Sequence, residues 1–395
     1  MARNITTGID IGTHQIKVVI TEYGNGRDAS LPKIIGTGFS QSKGLRHGYI
    51  INPADTTRSI KAAVNQAEKS AGVRVKKAFI SIGGVGLEEI HSKGSSIISR
   101  ADSEITDLDI EKALKDSEKK VVQKTLNKKV IHDIPIHYKI DGGTVLGKPQ
   151  GMKGSKLEVD VLFVTCLEQH LNDLIAAVEE AGVAVEDVMA SPIAGSFVTL
   201  SRAQKIAGAV LANIGAETVS IVVFENNIPI SLKVFSIGGS DITNDIALGL
   251  KIPLEDAERV KTGLLSGVEF PKKKLDEIVT ARLSDIFELI ETHLKKIGKN
   301  GLLPAGIIIT GGSSGIATIE DLARAALKLP SKLANGGFAK SQAVEKMRGG
   351  IRDSSWAVAY GLCIWGTGAE GDPAGVKMVK KTGSNILQWI KQFLP

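Results

Sequence analysis

Hydrophobic and polar positions alternate at the start of the chain and predict a sheet that opens with a hairpin. Within residues 5–23, β-branched residues at alternate positions bracket a turn that contains glycine. Over 53–71 the apolar spacing changes to that of a helix, and Gly72 follows as a stop signal. A further strand is predicted over 75–82. Together these elements form the N-terminal part of a first lobe, residues 1–84.

The character of the pattern changes in the next part of the chain. A charged helix is predicted over 107–120, followed by paired strands over 130–140 and 157–165. A glycine-rich stretch separates these two strands. We therefore interpret residues 85–162 as a subdomain that is inserted into the first lobe.

A second strand, turn and strand unit begins near Ala207 and ends on a Gly-Gly pair, as the opening unit does. It follows a return to the first lobe over 163–205, which contains a predicted helix at 167–181. The similarity of the two units indicates an internal duplication. Duplicated units of this kind predict two similar lobes that face each other across a cleft. The sheet of the second lobe is predicted over 206–240.

The remaining elements complete the second lobe. They are helices over 241–263 and 274–297, a buried strand over 306–310, a helix over 318–328 and a loop-rich stretch over 330–350. We assign 241–303 to a helical subdomain and 304–365 to the third candidate motif and the closing elements of the fold. Residues 366–384 have the composition of a flexible linker.

A short amphipathic segment stands at the C-terminal end, residues 385–395. At about 100° per residue, one face of a helix over 385–394 is apolar and the other is polar. The apolar face consists of Ile386, Leu387, Trp389, Ile390, Phe393 and Leu394. Lysines upstream of it suit anionic lipid headgroups, so we predict a helix that lies in a membrane surface. The alternative is a terminal helix that docks on the protein's own core.

Composition restricts the class of protein. With 395 residues, 43% of them hydrophobic, and 43 glycines, the chain suits a globular α/β protein of two or more lobes. The formal charge of +6 is compatible with nucleotides or lipid headgroups but is far below that of a nucleic-acid-binding protein. We expect no secretory signal and no transmembrane span. Cys166 and Cys363 are expected to be buried, reduced thiols, and the histidines show no metal-ligand spacing.

The turn of the opening hairpin is a candidate phosphate site. Glycine and hydroxyl residues in a turn can direct successive backbone N–H groups at phosphate oxygens, and a nearby lysine adds a point charge. The candidate residues are Asp10, Gly12, Thr13, His14, Gln15 and Lys17. Viewed alone, an ordinary hairpin turn is the stronger alternative.

A second turn of the same layout occupies the equivalent place in the second unit. It contains Asn213, Gly215, Ala216, Glu217 and Thr218. One such turn is weak support for a ligand site, but two in equivalent places are harder to explain as simple turns. They would hold a phosphate chain from opposite sides of the cleft.

A third candidate lies at the end of the strand over 306–310. Gly311 and Gly312, followed by Ser313, would let the backbone approach a flat ligand such as adenine or ribose. An ordinary turn from strand to helix explains this stretch equally well when it is viewed in isolation.

The order of the three motifs resembles the phosphate-1, phosphate-2 and adenosine motifs of the actin, Hsp70 and sugar-kinase superfamily. Two further stretches, 236–245 and 257–261, resemble the FtsA family of bacterial cell-division proteins. So do 133–142 and 149–154, which lie in the extra subdomain that this family carries. The resemblance covers nearly the whole chain.

The resemblance implies an α/β, actin-like (ribonuclease H-like) two-lobed fold with an FtsA-type inserted subdomain and a C-terminal amphipathic helix. It implies ATP and Mg²⁺ in the cleft, with Asp10 near the metal and with Glu258 and Lys261 beside the nucleoside. Gly238 and Gly239 belong to the nucleotide site in the same interpretation. For Glu258 and Lys261, an i,i+3 surface ion pair is the alternative.

The same resemblance implies a role in cell division at the cytoplasmic face of the membrane. The expected partners are the C-terminal tail of FtsZ, further copies of this chain in filaments, an anionic membrane surface and other division proteins, with no nucleic acid. A PilM-like pilus-assembly protein, which binds the tail of a membrane protein, is the nearest alternative. A small-molecule kinase is a more distant one, since it requires a catalytic carboxylate and a second substrate pocket.

Two departures from the superfamily pattern bear on catalysis. Asn213 stands where many members place an aspartate, and Ala216 and Glu217 replace the usual glycines. An amide cannot supply the charge with which a carboxylate helps to hold Mg²⁺ through water. We therefore expect ATP binding with at most slow hydrolysis.

Overall fold

A computed structural model describes residues 4–23, 31–263, 271–334 and 354–370. Two five-stranded sheets, one four-stranded sheet and a small two-stranded sheet lie within these ranges. No helix in the described ranges is both long enough and apolar enough to span a bilayer.

The first lobe opens with the predicted hairpin. Its elements are β1 (Asn4–Ile11), β2 (Gln15–Tyr23), β3 (Lys33–Gln41), β4 (Leu45–Arg46), β5 (Tyr49–Ile50), α1 (Pro53–Ala71) and β6 (Lys77–Ile82). Strand β1 pairs antiparallel with β2 and parallel with β6, so it lies in the interior of the sheet. The periodicity of the sequence predicted both the hairpin and the bounds of α1 correctly.

Helix α1 shows how local sequence sets these bounds. The Asn52 side chain accepts a hydrogen bond from the Asp55 N–H, and Gly72 ends the helix with a φ of 67°. The buried stripe of α1 packs on β3, where glycine leaves room for its backbone. A Cβ on Gly38 would lie 2.1 Å from the carbonyl oxygen of Ala63. A larger residue at position 38 would therefore displace the helix from the sheet.

The inserted subdomain is a separate layer of sheet and helix. It contains β7 (Glu88–Ile97), α2 (Asp107–Val121), β8 (Lys128–Ile140), β9 (Gly143–Val145) and β10 (Lys156–Leu167), in the sheet order β7-β10-β8-β9. Buried side chains such as Ile110, Leu157 and Phe163 form its own core. Helix α2 packs closely on β7, because a Cβ on Gly94 would lie 1.9 Å from the carbonyl oxygen of Ala113.

The chain then returns to the first lobe and enters the second. The returning elements are α3 (Glu168–Glu180), β11 (Ala184–Ala190), α4 (Ser191–Thr199) and α5 (Arg202–Ala207). The second lobe contains β12 (Ala209–Ile214), β13 (Val219–Glu225), β14 (Ile228–Phe235), α6 (Gly239–Leu250), α7 (Leu254–Lys261), α8 (Lys272–Lys296), β15 (Gly306–Thr310), α9 (Ile319–Leu327) and β16 (Ser331–Leu333). A 3₁₀ turn at Ser354–Trp356 leads into α10 (Ala357–Glu370), the last helix of the described ranges.

The two five-stranded sheets have the same topology, which confirms the predicted duplication. Their strand orders are β11-β6-β1-β2-β3 and β14-β13-β12-β15-β16. In each, the first strand of the unit forms an antiparallel hairpin on one side and a parallel pair on the other. Because both hairpin turns follow the central strand, they occupy equivalent positions in the two lobes.

Helix α10 packs on the first lobe although it follows the second in sequence. Val358, Leu362 and Trp365 belong to the same buried cluster as the first sheet. A Cβ on Gly361 would lie 1.9 Å from the carbonyl oxygen of Ala194, so α10 and α4 cross at this glycine. Helix α10 therefore returns the chain to the first lobe and packs there on α4.

Three elements in the C-terminal half differ from the sequence-based prediction. The helix predicted over 241–263 is two helices, since Lys251 adopts a φ of 58° and Pro253 cannot continue the α6 hydrogen-bond ladder. The linker predicted over 366–384 begins too early, because α10 continues to Glu370. The stretch at 330–350 contains β16. The predicted membrane helix over 385–394 lies outside the described residues.

Cys166 and Cys363 are both free and buried, as predicted. Burial raises the pKa of each thiol to about 12. Neither is therefore ionised near neutral pH, which agrees with an inert core role rather than a reactive one.

A partly buried carboxylate joins the inserted subdomain to the second lobe. Glu89 on β7 accepts a hydrogen bond of 2.6 Å from the N–H of Leu232 on β14. Its other oxygen lies 4.0 Å from Nε2 of His293, and that nitrogen is 2.7 Å from the Ser231 hydroxyl. Burial lowers the pKa of His293, so the ring is neutral near pH 7 and the cluster is held by hydrogen bonds.

We expect Glu89→Ala to lower the thermal unfolding midpoint. The substitution leaves the part-buried N–H of Leu232 without its acceptor, which costs about 1–3 kcal/mol. Glu89→Gln retains an acceptor oxygen and should lose clearly less. Thermal unfolding followed by circular dichroism compares the two variants. An equal loss in both would mean that the charge of Glu89, rather than its hydrogen bond to Leu232, matters at this junction.

Candidate functional site

The three sequence motifs meet at one cleft between the lobes. The cleft has a volume of about 450 Å³ and is lined by both hairpin turns, the end of β15, helix α7 and the 3₁₀ turn before α10. Of the residues predicted for the nucleotide and metal site, all but Glu217, Gly238 and Gly239 line it. Residues more than 200 positions apart in the sequence therefore face one space.

The first turn, between β1 and β2, presents backbone donors. Ile11 and Ile16 pair across the hairpin, and the turn residues lie beyond that last pair. Within the described chain, the N–H groups of Thr13 and His14 have no main-chain acceptor. The turn is tight, since a Cβ on Gly12 would lie 2.9 Å from the carbonyl oxygen of Gln15. These donors are the kind of group that binds a phosphate oxygen.

Asp10 stands at the end of β1 beside a serine of the neighbouring strand. The Ser81 hydroxyl donates to a carboxylate oxygen of Asp10 at 2.8 Å and accepts the Ile11 N–H at 3.3 Å. Burial raises the pKa of Asp10, whereas the Ser81 hydrogen bond and the charge of Lys17 oppose the rise. A cation in the cleft would favour the ionised form of this carboxylate.

Lys17 is held by the segment that precedes α10. Its ammonium group donates to the backbone oxygen of Ser355 at 3.1 Å and to its hydroxyl at 2.5 Å. It also lies 5.6 Å from the centre of the Trp356 ring. The lysine thus has a defined position in the cleft wall rather than a free surface location.

The residues at the first turn fit a metal ion that binds together with the phosphates of a ligand. No group of three or more His, Cys, Asp or Glu side chains suited to a metal lies within the described residues. Mg²⁺ commonly takes only one or two carboxylates and completes its shell with phosphate oxygens and water. Asp10, a largely desolvated carboxylate beside a turn with unpaired N–H groups, matches that requirement.

The second turn, between β12 and β13, is supported by the start of α6. The N–H of Gly215 donates to the carbonyl oxygen of Thr218 at 2.9 Å. The N–H of Gly239 donates to the carbonyl oxygen of Gly215 at 2.9 Å, and the N–H of Ser240 donates to that of Ala216 at 2.7 Å. These first amides of α6 are therefore occupied by the turn, which explains why Gly239 does not line the cleft.

Gly238 is required by the same contact, because a Cβ there would lie 2.5 Å from the carbonyl oxygen of Ala216. The N–H groups of Ala216 and Glu217 have no main-chain acceptor in the part of the chain that the structure describes. Glu217 itself turns away from the cleft, and its carboxylate accepts the N–H of His47 in the first lobe at 2.5 Å. The second turn thus resembles the first in its unpaired donors but also contacts the opposite lobe.

The end of β15 brings its glycines against the second turn. Gly311 has a φ of 99°, and a Cβ there would lie 2.4 Å from the side-chain oxygen of Asn213. Gly312 is different, since a Cβ at that position would meet no atom within 4 Å. Ser313 donates its N–H to the carbonyl oxygen of Ile214 at 3.1 Å. Gly311 is needed for packing, whereas Gly312 keeps space open in the cleft.

Helix α7 contributes an ion pair that faces the cleft. Lys261 lies 2.7 Å from the Glu258 carboxylate and also donates to the carbonyl oxygen of Gly239 at 3.0 Å. The Thr243 hydroxyl lies 2.5 Å from the same carboxylate. Burial acts to raise the pKa of Glu258, but the hydrogen bonds from Lys261 and Thr243 hold it below its usual range. The pair is therefore part of an ordered network rather than the isolated surface pair that was the alternative.

Several lining residues were not predicted from the sequence. Serines and threonines contribute most of them: Ser81, Ser191, Ser220, Ser240, Thr262, Thr310, Ser354 and Ser355. Gly48, Gly83 and Gly84 also line the cleft. Among these residues, only Gly83 and Gly84 had a recognisable sequence pattern, because a Gly-Gly pair marks the end of strand β6. The scattered hydroxyl residues have no common spacing that could have revealed them.

Comparison with known proteins agrees with this architecture. The sequence profile described as "Cell division protein FtsA" matches residues 210–361, and that described as "SHS2 domain inserted in FTSA" matches 86–165. The second range nearly coincides with the insertion predicted over 85–162. Among curated relatives, the cell division protein FtsA of Pseudomonas aeruginosa is 29% identical over 386 residues, covering 92% of this chain and 90% of the relative.

Solved structures show the fold class. The PilM-PilN type IV pilus biogenesis complex contains a chain with a TM-score of 0.70 at 18% identity, covering 91% of this chain and 98% of that one. MreB5 of Spiroplasma citri bound to ADP has a TM-score of 0.51 at 14% identity, covering 92% and 96%. The fold is therefore actin-like, with an inserted subdomain, as predicted.

The cell division protein FtsA of Streptococcus pneumoniae is 30% identical over 347 residues, which cover 83% of this chain and 74% of the relative. The family models match the inserted subdomain and the range from the second lobe into α10, and the curated relatives align with most of the chain. The chain belongs to the FtsA family of cell-division proteins.

Proposed function

We propose that the cleft binds ATP with Mg²⁺ and that this binding controls how the protein assembles. The observation that carries the proposal is the convergence of two equivalent turns, a strand end with two glycines and the α7 ion pair on one cleft of about 450 Å³. A pocket of this size, lined by a few convergent polar groups, is typical of a small-molecule site. Family membership favours a nucleotide over other ligands.

The two turns would bind the phosphates. The N–H groups of Thr13 and His14 would donate from the first lobe and that of Ala216 from the second. Lys17 adds positive charge close to the first turn. The metal, when bound, neutralises phosphate charge, and Asp10 is the carboxylate that would hold it.

The α7 network would bind the nucleoside. Lys261 and Thr243 hydrogen-bond the Glu258 carboxylate and so fix its orientation. A fixed, ionised carboxylate is a good acceptor for the hydroxyl groups of a ribose. The open space beside Gly312 would admit the flat base.

We expect ATP turnover far below the roughly 10 s⁻¹ of a typical metabolic enzyme. Asn213 supplies no charge for the metal, and the neighbouring carboxylate of Glu217 is engaged by His47. A coupled phosphate-release assay with Mg²⁺-ATP measures the rate, and a sample in EDTA gives the background. Turnover near 10 s⁻¹ would contradict the assignment of Asn213 as a weak metal partner.

Membership of the FtsA family is the basis for the assembly and the partners that we propose for this protein. We infer that the protein self-associates into filaments, holds the C-terminal tail of FtsZ and attaches it to the cytoplasmic face of the membrane at the division site. The predicted helix over 385–394 would provide the attachment. A pull-down with an FtsZ C-terminal peptide on anionic liposomes, with and without ATP, tests this role. Absence of peptide binding under both conditions would argue against it.

Two other functions share parts of the fold. A PilM-like protein would bind the tail of a membrane protein and would need no lipid-binding helix, and the similarity to PilM concerns the fold alone at 18% identity. A small-molecule kinase would phosphorylate an acceptor in a coupled assay. The inserted subdomain, which matches the FtsA-type domain, favours the cell-division role over the kinase.

A further inference from the structure

Glu217 occupies an unfavourable place for a phosphate-binding turn. It carries a negative charge in the turn whose N–H groups would meet an anionic ligand, and like charges at short range repel. Its side chain, however, does not line the cleft. The carboxylate instead accepts the N–H of His47 at 2.5 Å, and Nδ1 of the His47 ring lies 3.3 Å from the Glu217 carbonyl oxygen.

His47 belongs to the first lobe, in the hairpin between β4 and β5. It adopts a φ of 49°, a conformation that non-glycine residues seldom take, and Gly48 follows with a φ of 89°. Gly48 packs on Gly84, since a Cβ on Gly48 would lie 2.3 Å from the Gly84 Cα. The carbonyl oxygen of His47 accepts the Val85 N–H at 3.1 Å. The tip of the hairpin is thus held by the first lobe while its N–H reaches the second.

The contact joins the two walls of the cleft. Gly48 and Gly84 line the cleft from the first lobe, and Ala216, the neighbour of Glu217, lines it from the second. Opening the lobes at this point would break a hydrogen bond to a charged acceptor, which is stronger than a neutral one. It would also release the turn residue whose N–H is one of the unpaired donors.

We infer that the Glu217 carboxylate and the His47 N–H form a latch that holds the lobes closed over a bound nucleotide. Glu217 is then a positioning residue: it fixes the second turn against the first lobe, and nucleotide release requires the latch to open. The inference rests on the proposed function of the cleft for its nucleotide part, whereas the latch contact can be measured without nucleotide.

The two possible roles of Glu217 predict opposite effects of its substitution on ATP binding. If the carboxylate only repels phosphate, Glu217→Ala and Glu217→Gln both tighten ATP binding. If it forms the latch, Glu217→Ala speeds ATP dissociation by roughly tenfold, the size expected for the loss of one charge-assisted hydrogen bond. Glu217→Gln keeps an acceptor oxygen and should change the rate much less. Glu179→Ala removes an exposed carboxylate on α3 and serves as the matched control.

Two measurements on the full chain test the latch. Stopped-flow dissociation of a fluorescent ATP analogue in Mg²⁺ gives the release rate of each variant. Selective ¹⁵N-histidine labelling produces signals for only seven residues, so hydrogen exchange at the His47 amide is followed directly without nucleotide. We expect slow exchange in the wild type and in Glu179→Ala, and fast exchange in Glu217→Ala.

The outcomes separate this inference from the proposed function. A wild-type protein that binds no ATP overturns the proposed function and the nucleotide part of the latch, while the exchange measurement still decides whether the contact exists. Unchanged His47 exchange in Glu217→Ala overturns the latch itself. Equal or slower ATP release from Glu217→Ala overturns its coupling to the nucleotide. Faster release together with faster exchange supports both parts.

Discussion

A chain that ends before Asn385 should lose nearly all flotation with anionic vesicles. The truncation removes the six apolar residues of the predicted helix over 385–394. Complete burial would contribute roughly 1.5–3 kcal/mol for each large side chain, although shallow insertion and the ordering of the peptide remove much of this. A single tail should therefore bind weakly, and a filament that presents many tails should bind firmly through effective concentration.

A pair of point variants distinguishes the loss of apolar insertion into the membrane from the effect of an added negative charge. Trp389→Glu introduces a carboxylate on the apolar face and should abolish flotation. Gln388→Glu introduces the same charge on the polar face and should reduce it only modestly, by about 1 kcal/mol or less near an anionic surface. If the truncated chain or Trp389→Glu floats as well as the intact protein, the tail is not the anchor. A PilM-like attachment through a membrane-protein tail would then gain support.

Gly312→Leu should abolish ATP binding without unfolding the protein. A Cβ at Gly312 meets no atom within 4 Å, because the space belongs to the cleft. A leucine would therefore fit the protein but fill the position proposed for the nucleoside. We expect a loss of affinity of at least about 100-fold, since excluding the base removes apolar contact worth about 3 kcal/mol or more. Titration calorimetry with Mg²⁺-ATP measures the change.

The same loop offers a matched control. Gly315 also has open space around its Cβ position but does not line the cleft. Gly315→Leu should therefore keep the affinity of the wild type, and both variants should unfold at similar temperatures. ATP that binds equally well to Gly312→Leu and Gly315→Leu would place the nucleoside elsewhere. A low unfolding temperature confined to Gly312→Leu would instead mean that the residue has a structural role.

Much of the fold was predictable from local patterns. The spacing of apolar residues gave the bounds of α1, since its cap at Asn52 and its stop at Gly72 are local devices. The repeated strand, turn and strand units predicted the two equivalent sheets. The break between α6 and α7 was missed although Pro253 is a local stop signal, because the prediction joined both helices into one; the left-handed φ of Lys251, which ends α6, carries no sequence signal of its own.

Local sequence is enough to identify the turns that could present backbone donors to a phosphate, since that capacity depends on a few adjacent residues. It also determined the amphipathic character of the tail. The meeting of the turns at one cleft depends on how the two lobes pack, and so does the position of Gly238 and Gly239, which support the second turn rather than line the cleft. The hydrogen-bond partner of Glu217 could not be predicted from the sequence either, because His47 lies 170 positions away and comes close only through the packing of the lobes. Contacts between distant residues depend on how whole layers stack, and no local pattern of residues encodes that arrangement.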